Sequence, residues 1–352
     1  MHKLQTLRQS RHFTKLPAAL AVLVFATIGI TFTFNSRAAT PFASLEPEQG
    51  TKTAGATTGT DSTASGGQFV RFGGGAATPS PGDCLARSLP VGVGMEWPNE
   101  CNTGVIGAGL SYSQLTPSSS ITTSSDGQVI ENLDITGRIL VKHNNVTIRN
   151  SRITCQTCLY IIDSRTNTGL TISYVEIDGV FMTDGKAIYG GNFTANNLNM
   201  HGMKSPITVL SDVTVEDSYI HDFVWTEGTH SAGISISTPT EHKNIILRHN
   251  NIHQKMDNGA SAAISIYNND VITNVLIENN LLNTSANYCM HAGAVSSKAG
   301  PSATYARFID NHFDRALSPN CGTSGPVASR DSSAEGYEWR GNVWHDTGEI
   351  VP

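Results

Sequence analysis

The stretch Ile148-Arg149-Asn150-Ser151-Arg152-Ile153 decides the fold. Its two isoleucines stand five positions apart, so both can face one interior only if the chain bends between them. Asn at the middle suits such a bend, because it tolerates left-handed backbone angles and its side chain can stack on the Asn of a neighbouring unit. The unit recurs as Ile130 with Ile135, Ile172 with Ile177, Ala195 with Met200, Val215 with Ile220, Leu247 with Ile252, Ile277 with Leu282, Phe308 with Phe313 and Trp339 with Trp344. No copy can bury its apolar side alone, so the copies must stack as coils of a solenoid that is capped at both ends. The column Ser151, Ser218, Asn250, Asn280, Asn311 and Asn342 is expected to form a ladder at the bend, interrupted by Val175 and Leu198. A third strand falls in most coils, at 159–162, 187–189, 207–210, 233–236, 263–267 and 288–291, with inward Ile, Val and Leu.

The remainder of the chain supports an all-β reading. Only 15% of the 352 residues are charged and 7% aromatic, which favours short strands and tight turns over amphipathic helices. The net charge of −6 gives no electrostatic reason to expect nucleic acid as a partner. Residues 1–39 read as an export signal or a retained N-terminal membrane anchor: Lys3, Arg8, Arg11 and Lys15 precede an apolar run from Ala18 to Phe34, and Ser36-Arg37-Ala38 offers a cleavage site. Export would place the protein outside the cell or on its surface, touching membrane only through an uncleaved N-terminus. Residues 40–82 form a Thr/Gly/Ser-rich linker. The six cysteines are an even set, and sequence proximity suggests the pairs 84/101, 155/158 and 289/321. The solenoid occupies residues 83–352, expected as a monomer.

Two resemblances add to this. Phe42-Ala43-Ser44-Leu45-Glu46-Pro47-Glu48 with Ala64-Ser65-Gly66-Gly67-Gln68-Phe69-Val70-Arg71-Phe72 resembles the opening strands of β-sandwich carbohydrate-binding modules over about thirty residues, far short of a sandwich of roughly 100 residues. Gly127-Gln128-Val129-Ile130-Glu131-Asn132-Leu133-Asp134-Ile135-Thr136-Gly137, Asn145-Val146-Thr147-Ile148 and the ending Gly341-Asn342-Val343-Trp344-His345-Asp346 are similar to secreted bacterial proteins of the right-handed parallel β-helix, pectate-lyase-like superfamily. That resemblance implies a right-handed parallel β-helix turned toward an extracellular polysaccharide or cell-surface glycan. It leaves the reaction open, since one fold hosts lyases, hydrolases and adhesins.

Candidate chemistry lies after the second strand of each coil. The outward positions Thr154, Asp178, His201, His221, His253, Asn283, Asp314 and His345 should line up, with the three consecutive histidines about 4.8 Å apart. The loop Asp222-Phe223-Val224-Trp225-Thr226-Glu227-Gly228-Thr229-His230-Ser231 carries an aromatic, a carboxylate and an imidazole. For a polysaccharide lyase, Lys204, Lys186 or Lys255 would neutralise a uronate and His230 or His221 would take the proton. For a glycoside hydrolase, Glu227 and Asp257 are the carboxylate pair. Trp225, Tyr189 and Tyr267 are the candidates for stacking on sugar rings, with His201, His253 and His291 as further contacts. Similar proteins often read His-Ser-Asp-Gly where this chain has His230-Ser231-Ala232-Gly233, so a carboxylate is missing. Calcium is the cofactor the resemblance would bring, but the adjacent Asp clusters that hold it are not evident. The alternative function is a noncatalytic adhesin or envelope protein.

Overall fold

The computed structural model describes residues 56–60, 68–72, 97–226, 230–256 and 260–352. The chain divides into two compact units, Met1–Gly74 and Gly75–Pro352. In the first, Ala56–Thr60 pairs antiparallel with Gln68–Phe72. The leader, Phe42–Glu48 of the module-like fragment and Cys84 lie outside the described residues.

The second unit is a right-handed parallel β-helix whose 24 strands join coil to coil in one continuous network. Each coil contributes to three parallel sheets. In the first sheet the registered inward column runs Ile130, Ile148, Ile172, Ala195, Val215, Leu247, Ile277, Phe308 and Trp339. In the second it runs Ile135, Ile153, Ile177, Met200, Ile220, Ile252, Leu282, Phe313 and Trp344. All nine repeats read from the sequence therefore sit in register. The third sheet stacks Ile139, Ile162, Ile188, Ile207, Ile234, Ile264, Met290 and Val327, with strands within one or two residues of the expected bounds. Nearly all these side chains are fully buried, and apolar surface removed from water at about 25 cal/mol per Å² is what holds the coils together.

The bend between the first two sheets divides two jobs that the sequence reading had given to one residue. The left-handed residue is the one before the ladder: Asn150, Tyr174, Asn197, Asp217, His249, Asn279, Asp310 and Gly341 all have positive φ. The ladder residue follows it and points inward. Asn250, Asn280, Asn311 and Asn342 are wholly buried, and the first three each donate from Nδ2 to the next Oδ1 at 2.9–3.0 Å. Each Nδ2 also reaches a backbone carbonyl of the preceding coil, so buried polar groups are satisfied along the column. Val175 and Leu198 occupy the same column as buried apolar residues.

Disulfides join Cys155 to Cys158 and Cys289 to Cys321, as sequence proximity suggested. Cys101 is also disulfide-bonded. Such bonds fit an oxidising, extracellular-type environment. No described helix is long and apolar enough to cross a membrane.

One element escapes the repeat. Residues 97–115 run along the outside of the second sheet before the first strand begins. Asn251 Nδ2 donates to the Pro98 carbonyl at 2.9 Å, Gly104 N–H donates to the Asn197 carbonyl at 2.8 Å, and Tyr112 donates its hydroxyl to Glu176. Gly104 is required there: its φ is +59°, and a Cβ would lie 2.8 Å from that of Asn199.

Candidate functional site: a groove on the third sheet

The outer face of the third sheet carries one column in register, Tyr189, Thr208, Ser235, Ser265 and His291. Their alternation with the inward Ile column is the ordinary two-residue period of a strand. Turns on both sides rise above this column and enclose a groove of about 730 Å³. Tyr160 and Lys186, paired across neighbouring coils, stand at one end, and Tyr267, Ser297 and Lys298 at the other.

Both ends are aromatic. The Tyr160 and Tyr189 rings lie 4.8 Å apart, centroid to centroid, and the Arg165 guanidinium sits over both at 4.8 and 5.3 Å. Arg165 is fixed by two 2.8 Å hydrogen bonds to Asp163. At the far end Tyr267 and His291 are 4.9 Å apart, and Lys298 Nζ stands 5.0 Å from the Tyr267 centroid. Between them the floor is hydroxylic, with Ser235 and Ser237 sharing a 2.6 Å hydrogen bond.

No Asp or Glu is found among the described residues that line the groove, whereas Lys186 and Lys298 are. Burial lowers the pKa of Lys186, the charge of Lys204 lowers it further, and Asp184 opposes both. Burial lowers that of His291, so its imidazole is held neutral.

The structure thus brings together Lys186, Tyr189, His230, Tyr267 and His291 from the residues singled out by sequence. His230 is exposed at the groove wall. Glu227 and Asp257 lie outside the described residues. Lys255 and Trp225 are exposed but do not line this groove, and neither does Lys204, whose charge lowers the Lys186 pKa.

The expected His line forms on the second sheet, and much of it is covered. His201 pairs in register with Asp178, its ring is 5.2 Å from that of His221, and His253 pairs with Asn283. His221 is 6% exposed, with Nε2 2.8 Å from Asn199 Oδ1, Nδ1 3.0 Å from Asp222 Oδ2 and its face stacked on Tyr219 at 4.1 Å. Both its nitrogens are engaged. His201 Nε2 lies 3.1 Å from the buried Glu176 carboxylate. Burial works against charge on His201, yet the bond to Glu176, with the charges of Glu176, Asp178 and Asp222, raises its pKa overall. The His253 pKa is lowered by burial and by the charge of His221.

Sequence reasoning missed Tyr160, Arg165, Ser235, Ser265 and Lys298. Serines and lone cations carry no signature of their own, and only the register stacks them on one face.

The chain matches no family model, no curated protein and no solved structure.

Proposed function

We propose that this is an extracellular protein that binds a polysaccharide strand in the groove of the third sheet. The observation that carries this reading is the arrangement along one face: aromatic rings at both ends and a hydroxyl-bearing floor between. Flat apolar faces suit sugar rings, and fixed hydroxyls suit their polar edges. The lysines, with a lining free of carboxylates among the described residues, favour a glycan that carries negative charge. The leader-like N-terminus and the disulfides support export, and the β-helix agrees with the resemblance to the secreted pectate-lyase-like superfamily.

Binding without cleavage is the form we favour. Ala232, where similar proteins often carry Asp, lines the groove. A second reading, β-elimination on a uronate, is favoured by the neutral His291 and by the exposed His230 and by Lys186, which line the same groove and would supply a base and a cation.

The test is to incubate the purified protein with a panel of acidic and neutral glycans. Retention without new reducing ends or new absorbance near about 235 nm supports binding. Absorbance there would establish elimination, and reducing ends alone would establish hydrolysis. No retention on any glycan would overturn the proposal.

A further inference from the structure

Away from the groove, the last two coils bring a pair of imidazoles together. His312 begins the strand His312–Asp314, which pairs in register with Val343–Trp344. His345 follows that strand, its N–H donating to the Phe313 carbonyl at 2.9 Å. The register turns the two rings toward each other, with Nδ1 of His312 and Nδ1 of His345 3.3 Å apart and the ring planes at 71°.

That separation is informative. Two imidazole nitrogens bound to one tetrahedral metal at about 2.0–2.1 Å stand roughly 3.3–3.4 Å apart. The pair has that spacing, and with one Nδ1 protonated the same contact is a ring-to-ring hydrogen bond that a metal ion would replace.

We propose that His312 and His345 form a two-imidazole site for a first-row divalent transition metal such as Ni²⁺, Cu²⁺ or Zn²⁺, with water completing its coordination. Neutral imidazole suits these ions. The carboxylates nearby are already engaged. Both Asp346 oxygens take the Arg315 guanidinium, Asp314 accepts from Asn283, and Asp310 stands 3.9 Å from Arg340. Among the described residues no third His, Cys, Asp or Glu converges there, so a hard cation that needs many oxygens is disfavoured.

Trp97 reports on the site. Its ring lies 5.1 Å from that of His312 and 6.1 Å from that of His345, edge-on to each. It also stacks on His249 at 5.3 Å, whose Nδ1 is taken by Asp217 at 2.6 Å. A bound ion would tie the last coil to the one before it and hold the start of the outer segment against both.

The test titrates NiCl₂ and ZnCl₂ into the full chain at neutral pH, following tryptophan fluorescence and heat. Saturable binding is expected, with Ni²⁺ quenching part of the fluorescence. His312→Ala and the solvent-exposed His345→Ala should each weaken it about tenfold or more, and His253→Ala should leave it unchanged. Trp97→Phe should bind with similar heat and less quenching. Absence of saturable binding, or equal affinity in the wild type and both histidine variants, would overturn the assignment.

Discussion

The second and third sheets are built from the same coils by the same alternation, yet their outer faces end differently. On the second sheet the outward column lies beneath residues 97–115, where Glu176, Asn199 and Asn251 hydrogen-bond within the protein while Arg152 Nε, in the same column, is buried without a partner. On the third, the column from Tyr189 to His291 stays open, and buried Ser265 Oγ and His291 Nδ1 have no hydrogen-bond partner. Regular stacking therefore does not by itself make a binding face. What distinguishes the two is whether a non-repeating segment lies over the column.

The largest expected effect is on the covered face. Glu176→Ala removes a 1%-exposed carboxylate that receives Tyr112 and faces His201, and should lower stability by about 2–4 kcal/mol, read as a shift in denaturant midpoint. An unchanged midpoint would mean that the outer segment contributes nothing to the second sheet. On the open face the same protein should lose little stability but much ligand. Tyr267→Ala is expected to weaken glycan binding about tenfold, or about 1.4 kcal/mol, by calorimetry.

The two faces should also respond oppositely to pH. The folded-state pKa of His201 is raised above the ordinary 6.5, so its contribution is complete below that value and is lost as pH rises through the raised one. That of His291 is lowered, so its contribution is present above 6.5 and is lost as pH falls through the lowered value. Hydrogen exchange should therefore loosen first around Tyr112 in alkali and first around His291 in acid. The smallest effect belongs to Lys255→Ala, outside the groove, which should change affinity by less than about twofold.

The same contrast explains what could be read from sequence. The inward pairs, the Asn ladder and the third strands were legible because each coil repeats a local demand: apolar in, bend, apolar in. Aromatic and charged groove residues, Tyr189, Lys186, Tyr267 and His291, stood out by type. Ser235 and Ser265 gain meaning only through register between coils, and Tyr112 meets Glu176 across a separation of 64 residues, with no periodic trace. The His line was legible as a line, but its burial was not, because Glu176 and Asn199, which hydrogen-bond His201 and His221, meet them only through the register of the coils. Likewise the bend showed Asn as a recurring type without revealing that one position twists the chain and the next builds the ladder.

Hydrogen exchange of the protein with and without a retained glycan tests the central claim most directly. The account predicts new protection in the third-sheet strands Lys186–Gly190, Ala232–Ile236, Ala262–Ile266 and Tyr288–Ala292, with little change in Asn199–Met203 and Asn251–Gln254 of the second sheet. Protection confined to those second-sheet strands would contradict it.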